Sequence, residues 1–537
     1  MQRGRSWRAL LVVVALAGCA APPPAGDDHV ALRILAINDF HGNLDPPVPD
    51  LGGAAWLAAH LRRAREQAGH TVTVSAGDLI GATPLTSGLF HDEPAIMAAD
   101  LLGLDLNAAG NHEFDEGWEE LLRMQQGGPR EGGDPDFAGA GFEILAANVV
   151  VEATGDTLLP AYTVRRYDGI PVAFIGLPLR DTPSVVVASG IAGLSFEDEV
   201  ETINALVGAI REQGIEAIVV VIHQGGYPAE GSEDECRDFR GPIVDIVRRS
   251  DPAIDLFVTG HTHRHYLCVI DGRPVTSAGS FGRWYTEIDA RLDRRTGDLA
   301  VVRLDNVPVT HDIPPADDVA ALVAEYRARA ETVSRQVVGT VTADVTKQPD
   351  AAGESLLGAL IADAQLAATR DAGAVVAFMN AGGVRTDLLY APTGQERPGE
   401  VTFAEIAAVQ PFGNTLVTLT LTGAQIRELL EQQWAGQPAA NMLSPSEGFT
   451  YAWSRSAPDG ARVVPSSIAI GGAPIEPDAE YRVTVNSFLA AGGDGFTVLA
   501  EGRDPVEGVI DIEALRDYLH RHSPVTPERP GRIRALP

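Results

Sequence analysis

Short apolar runs alternate with stretches of helical spacing through the first half of the chain. Leu32 to Ile37 is mostly apolar and predicts a buried strand, followed at its carboxyl end by the polar residues Asn38 to Asn43. Residues 52 to 67 carry helical spacing, Thr71 to Ser75 predicts the next strand, and 93 to 101 a further helix. The run Leu101 to Ala109, mostly apolar and small, leads into the polar turn Gly110-Asn111-His112-Glu113-Phe114-Asp115. Strands are expected at Glu143 to Val149, Val172 to Gly176, Ala217 to Ile222 and Ile254 to Thr259, with helices at Asp198 to Gln213 and Pro242 to Ser250. Such alternation predicts a layered α/β domain whose ligands bind at strand ends.

From about residue 295 the pattern changes to shorter β runs, and Asp317 to Gln336 forms a long amphipathic helix without internal Gly or Pro. It reads as a connector between domains, or as a helix packed on either one. A second domain then contains the helix Ser355 to Arg370 and the strand Ala374 to Met379. Its turns are Asn380-Ala381-Gly382-Gly383-Val384-Arg385, Gln410-Pro411-Phe412-Gly413-Asn414, and Asn486-Ser487-Phe488 through Gly492-Gly493-Asp494-Gly495-Phe496. The expected organisation is a domain over 31–313, a linking helix over 314–337 and a smaller α/β domain over 338–537.

The polar residues at the strand tips carry the candidate chemistry. Asp39 and His41, two apart, point the same way on an extended chain. Asp78, Asn111, His223, His261 and His263 follow later strands. Imidazoles, carboxylates and a neutral amide oxygen suit zinc, manganese or a similar divalent ion, and two ions bridged by one carboxylate need about this many ligands. A paired site lowers the pKa of a bound water to about 7 and clamps the oxygens of a phosphoryl displacement. His112 can donate a proton and Asp115 can hold its ring.

The ordered set D-x-H, GD, GNH-E, H and GH-x-H resembles the calcineurin-like metallophosphoesterases. The NGG and GGDGF turns are similar to the carboxyl-terminal domain of the secreted 5′-nucleotidase and UDP-sugar hydrolase family. The resemblance implies a four-layer α/β sandwich domain joined by a helix to a smaller α/β substrate-binding domain. It implies Asp39, His41, Asp78 and His263 around one metal, with Asp78, Asn111, His223 and His261 around the other. His112 would stabilise the transition state or protonate the leaving oxygen, with Asp115 as its partner.

In the second domain the resemblance implies a nucleotide pocket. Arg385 can fork onto phosphate oxygens; Asn380 lies in the same turn, and Gly383 allows close backbone approach. Phe412 and Phe488 match the family's pair of base-stacking rings, and Asn414 and Asp494 match positions that hydrogen-bond base and ribose. Two positions depart from the pattern. Lys347 stands where many relatives carry Arg ahead of the GES segment Gly353-Glu354-Ser355, and Ala359 replaces an amide or acid. Lysine lacks the planar fork, which would aim one phosphate clamp differently. The implied reaction is two-metal hydrolysis of nucleotide phosphate esters by metal-held hydroxide, extending to UDP-sugars or cyclic nucleotides. It could require the domains to rotate about the linking helix. The alternatives are an extracellular nuclease or a sulfur-ester hydrolase on the same scaffold; a non-enzymatic surface protein would lack ligands that are all present here.

Composition narrows partners and compartment. Arg3, Arg5 and Arg8 precede the apolar run Ala9 to Ala17, and Leu16-Ala17-Gly18-Cys19 resembles a bacterial lipobox. Residues 1–19 are therefore expected to be a lipoprotein signal, with Cys19 lipidated and 20–30 a stiff Pro-rich tether, placing the protein on a membrane facing the periplasm or cell surface. The remaining cysteines, Cys236 and Cys268, predict a disulfide in an exported protein, contributing about 3 to 4 kcal/mol by loop closure. A formal net charge of −32 disfavours nucleic acid polymers and leaves a small nucleotide as the expected partner.

Overall fold

The computed structural model describes residues 28–229, 231, 236–435, 440–528 and 531–537. Cys19, the signal and most of the tether lie outside the described residues.

Two six-stranded sheets stack face to face in the amino-terminal domain. The first has the spatial order Leu299–Pro308, Trp284–Asp293, His29–Ile37, Thr71–Ser75, Leu106–Ala108, Glu143–Leu145. Its last four strands run parallel, so their carboxyl ends share one edge. The second sheet runs His265–Ile270, Arg273–Ala278, Leu256–Thr259, Ala217–Ile222, Ile170–Leu177, Tyr162–Tyr167. Here too the central strands are parallel.

Side-chain alternation explains the layering. Val219 and Val221 meet Ile34, Ala36, Val72 and Val74 between the sheets. Ile218, Val220 and Ile222 meet Ile203, Val207 and Ile246 of the outer helices Glu199–Glu212 and Pro242–Arg249. A strand buried on both faces must be apolar throughout, which is why Ala217–Ile222 reads as one unbroken run. Helices Ala54–Glu66 and Glu93–Leu102 cover the first sheet, completing four layers.

The helix Asp317–Ser334 packs on the first domain, one of the alternatives expected: Val319, Leu322, Val323 and Tyr326 are buried in one core with Leu57, Leu61, Ile96 and Ala99. Its apolar stripe needed a partner, and the first domain supplies it. A pivot within 317–334 would open that core. The β region near 295–312 is a single ten-residue edge strand, Leu299–Pro308, in a hairpin with Trp284–Asp293. Its exposed residues are Ala300, Val302 and Arg303, so burial along this strand does not follow an apolar–polar alternation. Finally, the expected strand Glu143 to Val149 divides. Glu143–Leu145 stays in the first sheet, and Val149–Val151 pairs with Leu194–Phe196. Between them the buried Asn148 amide donates to the carbonyls of Pro178 and Glu197.

The carboxyl-terminal domain holds a five-stranded mixed sheet in the order Ser444–Pro445, Val376–Met379, Glu480–Asn486, Thr415–Thr422, Arg503–Ile510. Val376–Met379 and Glu480–Asn486 are parallel, and Thr415–Thr422 is antiparallel to the latter. The segment after Met379, the one after Asn486 and the one before Thr415 therefore emerge on one edge. That edge presents Asn380, Phe412, Asn414 and Phe488 together.

Candidate metal centre and substrate cleft

All seven metal-type side chains leave the carboxyl ends of strands: Asp39 and His41 after Ile37, Asp78 after Ser75, Asn111 after Ala108, His223 after Ile222, His261 and His263 after Thr259. Asp39 and His41 are not extended as expected. Both are left-handed, at φ 48° and 47°, as are Asp78 at 51°, His261 at 70° and His263 at 55°. L residues adopt this region at a cost, and the concentration of such residues here marks a site held by its surroundings. Those supports include the hydrogen bonds from Asp39 N to Gly77 O at 2.9 Å and from His41 N to Asp78 O at 2.9 Å. Glycine is required beside them, since a Cβ on Gly110 would collide with Asp78 Oδ1 and one on Gly77 would come 2.5 Å from His223 Nδ1.

Asp39, His41 and His263 converge in one group, and Asp78, His223 and His261 in another, with donor atoms within 4.8 Å in each. His41 Nδ1 donates to Gly81 O at 2.7 Å, which turns its Nε2 lone pair toward His263 Nε2 at 3.1 Å and Asp78 Oδ2 at 3.6 Å. His223 Nδ1 donates to Ala76 O at 2.7 Å. Its Nε2 is 3.0 Å from Asp78 Oδ2 but buried without an aligned hydrogen bond, and Asn111 Oδ1 is likewise buried without a partner. Unpartnered buried nitrogen and oxygen donors, facing two buried carboxylates, fit divalent cations.

The electrostatics follow from the same neighbours. Burial, opposed by the Asp78 carboxylate, drives His41 well below the usual imidazole range. Burial and the neighbouring His223 lower His261 to about 4. His223 is pushed up to about 10, because the Asp78 carboxylate outweighs burial. Asp78 is held well below the carboxylate range: burial works against its charge, but His223 and His112 overcome it.

Around the ligands lie further residues, of which Glu113, Asn38 and Phe281 have no role assigned from the sequence. The buried Glu113 carboxylate accepts from Asp78 N at 3.0 Å, Leu79 N at 2.8 Å, Asn107 Nδ2 at 3.1 Å and also Gly110 N, tying two ligand loops together. Burial raises its pKa to about 7. Asn38 Nδ2 donates to Asp39 Oδ2 at 2.6 Å and to Gly279 O at 2.7 Å. Phe281, itself at φ 62°, packs against the rings of His41 and His263 at 5.8 and 5.3 Å. His112 sits in a short 3-10 turn, donating from its backbone N to Asp78 Oδ1 at 2.9 Å while its Nδ1 pairs with Asp115 Oδ2 at 2.7 Å.

The two domains close over one cleft lined by Asn111, His112, Asp115 and His261 from the first and by Asn380, Gly383, Arg385, Phe412, Asn414, Phe488 and Asp494 from the second. Asn380 Nδ2 donates to Asp494 Oδ2 at 2.7 Å, and Ser487 Oγ donates to Asn414 Oδ1 at 3.2 Å. Arg385 is half-buried, and its guanidinium lies 5.7 Å from the Phe412 centroid. Lys347 does not line this cleft among the described residues. Its ammonium donates to the Val384 and Arg385 carbonyls at 3.4 and 3.1 Å, bracing the turn that presents Arg385. Val185, Val186 and Val187 add an apolar wall from a loop without a strand or helix signature. Cys236 and Cys268 are joined by a disulfide.

A two-sheet sandwich with clustered imidazoles and carboxylates at its strand ends defines a metallophosphoesterase. Residues 32–265 match the calcineurin-like phosphoesterase family model and 337–501 the 5′-nucleotidase carboxyl-terminal domain model. The chain is 31% identical over 533 residues to the endonuclease YhcR of Bacillus subtilis, covering 96% of this chain and 42% of that protein. It is 31% identical over 561 residues to a cell wall protein of Listeria monocytogenes, covering 96% of this chain and 71% of that one. Among solved structures, the 5′-nucleotidase precursor of Thermus thermophilus superimposes with a TM-score of 0.78 at 27% identity, over 94% of this chain and 99% of that one. The chain belongs to the 5′-nucleotidase family of calcineurin-like metallophosphoesterases.

Proposed function

We propose that the protein hydrolyses nucleoside 5′-monophosphates at a centre of two divalent cations. One cation would be held by Asp39, His41, Asp78 and His263, the other by Asp78, Asn111, His223 and His261. The observation that carries this reading is the shared cleft, in which His112 and His261 of one domain face Arg385, Phe412, Asn414 and Asp494 of the other. When bound, the cations supply Lewis acidity at phosphorus and lower the pKa of water.

The chain's own residues do the rest. Arg385, half-buried within the field of the Asp78 and Asp115 carboxylates, forks onto phosphate oxygens. Asp115 holds His112 Nδ1, which leaves Nε2 to give its proton to the departing 5′-oxygen. Phe412 and Phe488 supply ring faces for the base, and Asp494 and Asn414 supply acceptors for ribose and base. The disulfide supports an oxidising compartment, consistent with export and anchoring through Cys19.

The test is phosphate release from AMP by wild type and by His112→Ala, with metal content measured in both. A loss of about 10²–10⁴-fold in kcat with metal retained is expected. Undiminished turnover by His112→Ala would refute the role given to it. A wild type that cleaves oligonucleotides but not AMP would favour the nuclease reading suggested by the Bacillus relative.

A further inference from the structure

Three loops of the second domain meet at a chain of side-chain amides. Asn486 ends the strand Glu480–Asn486 and caps the short helix Ser487–Ala490, which carries Phe488. Its Oδ1 accepts from Leu489 N at 2.8 Å, and its Nδ2 donates to Asn380 Oδ1 at 3.1 Å, with Met379 Sδ at 3.9 Å. Asn380 Nδ2 in turn donates to Asp494 Oδ2 at 2.7 Å, and Asn441 donates to the same carboxylate. Asp494 has to be held, since it is left-handed at φ 57°. Its turn lies so close under Phe488 that a Cβ on Gly493 would collide with the ring.

The two ends of this chain leave its members one orientation. A backbone N–H can only donate and a carboxylate can only accept, so each amide oxygen faces the Leu489 end and each NH2 group the Asp494 end. Asn486 and Asn380 are 1% and 2% exposed, so water cannot take over a bond that either one loses. The direction of the chain is set at Asn486, although the group it aims is Asp494.

We propose that Asn486 is a positioning residue for nucleoside recognition in this cleft. It fixes the amide of Asn380 and, through it, the Asp494 carboxylate, while its cap holds the helix that carries Phe488. The inference rests on the reading of the cleft as the nucleoside pocket. One side chain then sets both the ring that stacks on the base and the carboxylate that faces the ribose, so the two are placed together or lost together.

KM for AMP in a set of variants tests this. Asn486→Asp keeps the shape and the acceptor for Leu489 N but turns a second acceptor on Asn380 Oδ1. Asn380 can then serve the new carboxylate or Asp494, but not both. KM for AMP should rise about tenfold or more with metal content retained. Asp494→Asn supplies a group able to donate, so in that background Asn380 turns round and adding Asn486→Asp should change KM by no more than about twofold. In an Asn380→Ala background the two substitutions should act independently. Coupling that persists without Asn380 is direct repulsion between carboxylates and overturns the proposal. So does an equal factor with and without Asp494, or a KM for p-nitrophenyl phosphate that rises as much as that for AMP.

Melting temperatures of the same proteins give the comparison without substrate: Asn486→Asp should lower the value in wild type and not in Asp494→Asn. Should Asn486→Asp fail to fold, the Asn486→Asp/Asp494→Asn double variant should still fold, and its failure would also overturn the proposal. A wild type inactive on AMP whose variants still show this melting pattern would overturn the proposed function and leave the amide chain standing.

Discussion

The imidazole of His112 stacks on the phenyl ring of Phe412, centroids 5.7 Å apart and planes 14° from parallel, although the two belong to different domains. The proposed proton donor of one domain is thereby packed against the proposed base-binding ring of the other.

Removing that ring should affect nucleotides selectively. Phe412→Ala is expected to raise KM for AMP by about 5- to 100-fold, since stacking on one aromatic side chain is worth about 1 to 3 kcal/mol per base. KM for p-nitrophenyl phosphate should change much less. Steady-state kinetics on both substrates checks this, and an equal rise in both would mean that Phe412 serves only to position His112.

Glu113 is the buried tie between the Asp78 and Asn111 loops. Glu113→Gln keeps the shape but puts an NH2 group against donors, leaving at least one amide unsatisfied at about 1–3 kcal/mol. The variant should unfold at lower temperature and retain less metal after dialysis. Unchanged melting and metal content would show that the tie is dispensable.

Gly110→Ala drives a methyl group into Asp78 Oδ1. The carboxylate between the two ligand groups would have to move, so metal content and AMP turnover should fall together while the far-ultraviolet spectrum is retained. Full metal loading in this variant would contradict the placement of Asp78 at the centre.

Asp255 gives a pH prediction remote from the metal ligands. Burial, partly offset by the hydrogen bond from Ile218 N at 2.9 Å, raises its pKa to about 8, with Asp298 nearby adding to the rise. A carboxyl raised on folding binds more protons in the folded than in the unfolded state. Stability is therefore full below the unfolded value near 3.8 and declines as pH rises through about 8. Asp255→Asn, which cannot ionise, should gain on wild type as pH rises from 5 to 9, with the larger difference in melting temperature at pH 9. Parallel melting curves at both pH values would contradict this.

The sequence by itself determined the layered α/β core and the order of the strand-tip motifs. A strand buried on both faces must be an uninterrupted apolar run, as in Ala217–Ile222, and ligands that follow strands appear as polar breaks after such runs. Edge elements were less legible. Leu299–Pro308 is covered on one side only, so its period is mixed, and the stripe on Asp317–Ser334 says that the helix packs without saying on which domain. Only the tertiary structure decided that Glu113 joins two ligand loops, that Lys347 braces Arg385, that Val185 to Val187 wall the cleft and that His112 meets Phe412. These relations link positions far apart along the chain, whereas hydrophobic periodicity reports which face of an element is buried and not what lies against it.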